Sequence, residues 1–201
     1  MTWKSHRIVT LSLVYLLTGN LLWAFLSAIG SCIPDQIELA VYKNKAFAKD
    51  HHRKTSHWFL PYTLLALLAL TLSYYSGLLL WSASLQINDI VSWFTKWNFP
   101  FSKFPLWAWI SLTIAWLAIG AICHILEDAI SGKVPGLNPN KRTIGIRLLK
   151  TGSIKEYLFT FLFAIIFLIK ILHDLNYLHV QTVSNLFLNL PFLKNFLKTN
   201  M

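Results

Sequence analysis

The sequence predicts an all-α fold, a polytopic membrane helical bundle that begins with a helical hairpin and continues with about three spanning helices. Hydrophobic residues make up 55% of the 201 residues and charged residues only 13%, against about 25% in a soluble domain. Uncharged apolar stretches of the length that crosses a bilayer, roughly 20 residues, occupy 8–34, 59–88 and 106–123, and a shorter one occupies 157–169. This composition excludes a disordered chain, a coiled coil and an ordinary cytosolic globular domain.

The first predicted element is a helical hairpin over 1–35. Its apolar run is too long for a signal peptide and ends without a small-residue cleavage site, so we expect it in the mature protein. Thr18-Gly19-Asn20 interrupts the run, and Asn20 is suited to cap a second helix. The alternative is a single tilted span that tolerates a glycine, and hydrophobic periodicity does not separate the two.

Polar and apolar segments alternate after the hairpin. A polar loop over 36–57 precedes a spanning helix at 58–81. The segment 82–104 then returns along the far membrane surface, with its tryptophans at the level of the headgroups. Helix 106–130 crosses back to the first side.

The last third of the chain contains a basic loop, a spanning helix and a tail. The loop, 131–153, is rich in Gly, Pro and Asn, and helix 154–175 follows it. The tail, 176–201, is amphipathic and is expected to lie on the membrane surface. We therefore expect one membrane-embedded domain over 1–201, in which 58–175 supplies the spanning helices and the basic loop.

The ionisable residues favour the hairpin over the single span. In the hairpin topology six of the eight acidic residues lie on one side of the membrane, and only Asp89 and Asp174 do not. Five of the seven histidines share that side, and the exceptions are His173 and His179. A single straight first helix would place His6 opposite the others. Carboxylates and imidazoles at a membrane boundary are costly unless they are paired, solvated or bound to a metal.

Four short motifs bring these groups to predicted helix ends, and in chain order they are His6, Pro34–Glu38, His52–His57 and His124–Asp128. His124 and Asp128 are four residues apart and share one helical face. Each motif alone is explained by a helix cap or a positive-inside run, but all four converge on one membrane boundary. Zinc takes about four N, S or O ligands, so the set predicts two or more divalent ions, with Mn or Mg as alternatives to Zn. The candidate ligands are His6, Asp35, Glu38, His52, His57, His124 and Asp128.

The order of the motifs resembles the YdjM-like family of bacterial inner-membrane metal-dependent hydrolases. The resemblance covers roughly residues 2–157. The segment 133–139 is similar to the family's Gly-Val-Pro…Pro loop, with Lys133 in place of the first glycine, and 151–156 is similar to its Gly-x-x-x-Glu segment. The family is distantly similar to zinc-dependent phospholipase C and P1-type nucleases, which are all-helical enzymes with clustered zinc ions. The other motifs that carry the resemblance are His6, Pro34-Asp35, His52–His57 and His124–Asp128.

The resemblance implies both a ligand set and a reaction. Many members read Pro-Asp-x-Asp-His where this chain has Ile37 and then Glu38, so either Glu38 supplies that ligand from the next position or one metal is lost. The expected function is hydrolysis of a phosphoester, with a phospholipid or lipid-linked phosphate as substrate and a metal-activated water as nucleophile. The ligands carried over are His6, Asp35, His52, His57, His124 and Asp128.

Other polar residues receive roles within this hypothesis. Glu38 or Glu127 is the candidate general base. The alternative function is a non-catalytic metal-binding scaffold or assembly protein, and a transporter is disfavoured because transport sites lie near the midplane. Four cations are candidates for binding phosphate oxygens, and they are Arg53, Lys54, Lys141 and Arg142. The positive-inside bias of membrane topology explains their presence equally well.

The positive charge of the chain indicates its partner and its orientation. A net charge of +10 suggests nucleic acid at first sight, but basic loops of membrane proteins mark the cytoplasmic side or bind lipid phosphates. We expect the lipid bilayer as partner and no nucleic acid. The hairpin topology places thirteen of the eighteen Lys and Arg residues on the side of the metal motifs. This predicts a multi-pass protein of the bacterial inner membrane with its site facing the cytoplasm.

Overall fold

A computed structural model of the chain describes residues 1–41, 55–96 and 99–175. It is mainly α-helical, as the sequence predicts, and its basic loop holds a short two-stranded antiparallel sheet. Two 3-10 turns, Thr55–His57 and Pro100–Lys103, precede α4 and α7. The helices are α1 Trp3–Thr18, α2 Leu21–Gly30, α3 Ile33–Val41, α4 Phe59–Tyr75, α5 Leu78–Ala83, α6 Ile87–Lys96, α7 Leu106–Ser131 and α8 Ile154–Asp174, and the strands are β1 Val134–Pro135 and β2 Arg142–Ile144.

The predicted break in the first apolar run is confirmed. Helix α1 ends at Gly19, whose left-handed backbone (φ +66°) lets its N–H donate to the Tyr15 carbonyl at 2.7 Å. Asn20 caps α2, because its side chain accepts a hydrogen bond from the Trp23 N–H at 3.0 Å and donates to the Ser82 carbonyl. Helices α1 and α2 pack against each other.

Two predicted boundaries are wrong. The loop expected from Gln36 is helical as far as Val41, because α3 begins at Ile33 and Pro34 fits the first turn of a helix. The rest of that predicted loop, 42–54, lies outside the described residues. The expected helix 58–81 is divided into α4 and α5 by Gly77, whose φ of +74° ends the helical path.

Helix α7 is the centre of the bundle and packs against α2 and α4. Its contact with α2 is backbone to backbone. A Cβ on Gly30 would lie 2.1 Å from the Leu117 carbonyl oxygen, and one on Gly120 would lie 1.9 Å from the Ser27 carbonyl oxygen. The Ser27 hydroxyl donates to the Trp116 carbonyl at 3.1 Å. Small residues at such an interface allow the close packing that is typical of membrane helices.

Helix α8 is fastened to α1 at both ends. The Tyr15 hydroxyl donates to Asp174 at 2.8 Å. At the opposite end the Glu156 carboxylate accepts hydrogen bonds from the backbone N–H groups of Thr2, at 2.6 Å, and Gly152, at 2.8 Å. These bonds hold the beginnings of α1 and α8 at the same end of the bundle.

The lengths of the apolar segments support membrane association. Among the residues that the structure describes, two segments are long and apolar enough to cross a membrane, Leu21–Val41 and Leu106–Ser131, and Phe59–Tyr75 is apolar but shorter. The first of these combines α2 and α3, which are joined by a turn at residues 31 and 32.

Candidate metal centre

The polar ends of several elements meet at one end of the bundle. His6 lies in the first turns of α1, Asp35 in the first turn of α3, and His57 closes the turn before α4. His124 and Asp128 lie near the end of α7. All five are buried, and none except Asp35 is more than 1% exposed. Burial of so many ionisable groups is costly unless they are paired or coordinate a metal.

Two histidine nitrogens lie close to each other and to one oxygen from each of two carboxylates, and the four side chains come from three of these segments. His57 Nε2 lies 3.2 Å from His124 Nε2, and Asp35 Oδ1 lies 3.4 Å and 3.5 Å from these two nitrogens. Asp128 Oδ2 lies 3.4 Å and 3.8 Å from the same nitrogens. A tetrahedral zinc ion with bonds of about 2.0–2.1 Å separates its ligand atoms by about 3.3–3.4 Å. The five separations are therefore within about 0.5 Å of the distance between two ligand atoms of a zinc ion, and Asp35, His57 and His124 form one group whose donor atoms all lie within 4.8 Å of one another.

The two carboxylates favour a positive charge between them. Burial opposes protonation of the His57 imidazole, but hydrogen bonds to Asp128 and Asp35 outweigh it and raise the pKa of His57 above its usual 6.5. A divalent cation that replaces the proton on His57 would meet two carboxylates and two neutral imidazoles, a donor set that is suited to such an ion.

A second group of donors adjoins the first. His6, His124 and Asp128 each offer an atom within 4.8 Å of the others. His6 Nε2 lies 3.4 Å from Asp128 Oδ1, the oxygen that also accepts a hydrogen bond from the Met1 amino group at 2.7 Å. His6 Nε2 and His124 Nδ1 are buried without a hydrogen-bond partner. A hydrogen-bonded network alone leaves these nitrogens unsatisfied at a free-energy cost, whereas a metal ion accepts their lone pairs. The residues therefore fit an ion at each group.

Neighbouring side chains hold the opposite ring nitrogens of two histidines. His6 Nδ1 lies 2.6 Å from Glu127 Oε2, and the Thr10 hydroxyl donates to Oε1 of the same carboxylate at 2.8 Å. His57 Nδ1 lies 3.0 Å from the Ser56 hydroxyl. Partners of this kind fix the ring orientation and the tautomer of metal-binding histidines. They leave Nε2 of both rings directed to the donor groups.

The two candidate general bases occupy different positions. Glu127 is 3% exposed and has both oxygens bonded as described above, so its carboxylate is enclosed and supports the ring of the candidate ligand His6. Glu38 lies on the Nδ1 side of His57, with Oε2 3.7 Å from that nitrogen and within 3.4 Å of the Ser56 hydroxyl, which donates to it. Glu38 also lines a cavity of about 250 Å³ together with Tyr62. Neither acid therefore lies among the four donor atoms around His57 and His124.

The predicted phosphate-binding cations are partly described. Lys141 and Arg142 are exposed where the chain enters β2. Strand β1 pairs with β2 and packs against the Thr55–His57 turn, so this β-hairpin adjoins the candidate ligand His57. The remaining predicted site residues lie outside the described residues, and they are His52, Arg53 and Lys54.

Sequence reasoning missed the residues that hold the ligands in place. Ser56 is part of the motif that contains His57, and its spacing gives no sign of which ring nitrogen it contacts. Thr10 lies one helical turn after His6, so an i, i+4 relation was available as a signal. The Glu127 carboxylate of α7 contacts both His6 and Thr10. These contacts join residues that are far apart in the chain, so they have no local signature.

No protein-family profile, curated protein or solved structure matches this chain, so the resemblance to the YdjM-like family remains an expectation from its motifs.

Proposed function

We propose that the chain is a multi-pass protein of the bacterial inner membrane, with the metal centre at its cytoplasmic boundary. The apolar surface of the bundle supports this proposal. Leu64, Leu67 and Leu68 of α4 are each more than half exposed, and contiguous apolar surface of this kind requires a lipid or protein neighbour. The ends that carry the ionisable residues then lie at the water boundary, where the excess of basic residues favours the cytoplasmic side.

The proposed activity is metal-dependent hydrolysis of a phosphoester. The observation that carries it is the cluster of two imidazole nitrogens and two carboxylate oxygens, whose nitrogen–nitrogen and nitrogen–oxygen separations are 3.2–3.8 Å. We propose two zinc ions, one at each donor group. Such a pair of ions, when bound, activates water and stabilises the negative charge that develops on a phosphoryl group. The substrate class is a phospholipid or a lipid-linked phosphate, because the site borders the lipid phase.

Each residue of the site has a role in this scheme. Asp35 and Asp128 supply negative charge and His57 and His124 supply neutral nitrogens. Glu127 is a positioning residue, since it holds the His6 ring through a bond of 2.6 Å. Glu38 is the proposed proton acceptor because it lines the nearby cavity.

Removal of the Asp128 carboxylate charge tests the activity. Purified protein, loaded with zinc, is incubated with a bacterial lipid extract, and phosphoester products are read by mass spectrometry. Asp128→Asn is expected to retain the fold, to lose most of its metal and to lose most of the activity, because the amide keeps the shape but lacks the charge. Excess zinc is expected to restore only part of the activity.

Asp89→Asn is the matched control, because it makes the same chemical change at an exposed position of α6. It is expected to leave both metal content and activity unchanged. Full activity in Asp128→Asn would exclude this centre as the catalytic site. Stoichiometric zinc without hydrolysis of any lipid phosphoester would favour the alternative, a metal-binding scaffold.

A further inference from the structure

An open cavity of about 800 Å³ lies beside the proposed metal centre, between the end of α7 and the start of α8. Three cations line it, Arg147, Lys150 and Lys155. Within 1–41, 55–96 and 99–175, no acidic side chain forms an ion pair with any of the three. Like charges gathered around one cavity repel each other and raise the local concentration of anions. The cavity is therefore suited to an anionic ligand.

Hydrogen bonds to α7 fix the loop that carries the first of these cations. The Ile146 N–H donates to the Ala129 carbonyl at 2.9 Å, and the Leu148 N–H donates to the Ile130 carbonyl at 2.7 Å. Arg147 lies between them with a φ of +53°, a conformation that non-glycine residues adopt uncommonly. The carbonyls of the last helical turn thus hold this arginine at the wall of the cavity.

The cavity adjoins the proposed metal ligands. Ser131 forms part of its wall, and the Ser131 hydroxyl lies 3.4 Å from Asp128 Oδ1. An anion in the cavity is therefore separated from a proposed ligand by one serine side chain.

An exposed apolar surface begins at the same place. Ile154 opens α8 on the cavity wall, and it is 77% exposed. Leu158 and Phe161, one and two turns farther along α8, are 62% and 63% exposed. Cationic residues at the end of an exposed apolar helix face match the two parts of a phospholipid, an anionic headgroup and its acyl chains.

We propose that Arg147, Lys150 and Lys155 bind the phosphodiester group of an anionic phospholipid, with its acyl chains along the exposed face of α8. This inference rests on the proposed function in one respect, because it takes the bound phospholipid to be the substrate of the proposed metal centre. The binding step itself needs no metal, so it is measured separately from hydrolysis.

The test measures binding of soluble short-chain lipid to the full chain in detergent with EDTA present. Binding is measured by isothermal titration calorimetry with three probes, which are dihexanoyl phosphatidylglycerol, dihexanoyl phosphatidylcholine and inorganic phosphate. The cavity variant carries Arg147→Gln, Lys150→Gln and Lys155→Gln. The control variant loses the same charge away from the cavity, through Lys96→Gln, Lys103→Gln and Lys170→Gln, the last of which lies near the opposite end of α8.

The proposal expects phosphatidylglycerol to bind more tightly than phosphatidylcholine or inorganic phosphate. The cavity variant is expected to weaken this binding about tenfold, given a modest contribution from each exposed charge pair, and the control variant less than about threefold. If both variants weaken phosphatidylglycerol binding equally, the binding depends on the general charge of the protein and the proposal is overturned. Inorganic phosphate binding as tightly as the lipid would overturn the assignment to a lipid.

Two further measurements keep the test decisive. Lys150→Gln alone, an exposed substitution that does not threaten folding, is expected to weaken binding about threefold, and no effect would count against the cavity. If lipid binds as expected but the zinc-loaded protein hydrolyses no lipid, the proposed function fails and the binding site stands. If instead the cavity variant hydrolyses lipid with the wild-type rate and affinity, the proposed binding site fails and the proposed function stands.

Discussion

Replacement of Gly120 by alanine tests whether the close approach of α2 and α7 holds the proposed metal ligands together. The added Cβ would lie 1.9 Å from the Ser27 carbonyl oxygen, which is about 1.1 Å short of the 3.0 Å below which real Cβ atoms essentially never approach. The obstructing atom belongs to the backbone, so a rotamer change does not relieve the contact and the helices must separate. Overpacking of this kind costs about 1–3 kcal/mol.

Helix propensity acts in the opposite direction. Alanine is favoured over glycine inside a helix by about 1 kcal/mol, so propensity alone would stabilise the variant. We expect the steric term to be larger and the free energy of unfolding to fall by up to about 2 kcal/mol. For a chain of this size that corresponds to a decrease of up to roughly 8 °C in Tm.

The same displacement should reach the donor atoms. Asp35 follows α2 on α3, and His124 lies one turn after Gly120 on α7, so separation of the two helices lengthens the 3.5 Å contact between their donor atoms. A displacement near 1 Å exceeds the tolerance of about 0.2 Å in metal–ligand distances. The variant should therefore hold less zinc per chain than the wild type, by atomic emission of the purified protein.

Gly77→Ala provides the control for this prediction. Nothing lies within 4 Å of the position of its added Cβ, but its φ of +74° disfavours alanine, at a cost of about 1–2 kcal/mol. It should lower Tm and leave the zinc content unchanged. A higher Tm and a normal zinc content in Gly120→Ala would refute the close packing on which this reasoning depends.

Four more predictions address the metal centre and its orientation. EDTA should lower the Tm of zinc-loaded protein in a calorimetric scan, because the ligands come from separate segments; an unchanged Tm would contradict a structural metal. His6→Ala should reduce zinc content, whereas His173→Ala should not. Glu127→Gln should weaken zinc affinity about 10–100-fold in a competition with a chelating dye, as loss of an outer partner does. In a cysteine-free background, Asn138→Cys should react with an impermeant thiol reagent only from the cytoplasm and Ser84→Cys only from the periplasm; the reverse labelling would invert the topology.

The local pattern of the sequence determined the helix break and the helical class. Gly19 and Asn20 end one helix and start the next through interactions within a few residues of themselves, so their identity was sufficient. The spacing of His124 and Asp128 placed both on one face of α7 for the same reason. The apolar lengths also predicted where α7 and α8 begin and end to within one residue.

The tertiary structure alone decided what each polar group contacts. Glu127 and Asp128 are adjacent in sequence, and a turn of about 100° per residue along a helix directs one towards Thr10 and the other towards His57. Both are carboxylates near a helix end, so no local pattern distinguishes them. The assignment depends on which helix packs against each face, and the backbone contact at Gly120 sets that packing. Long-range contacts of this kind carry no signal in residue order, because they depend on the distance between elements that are far apart along the chain.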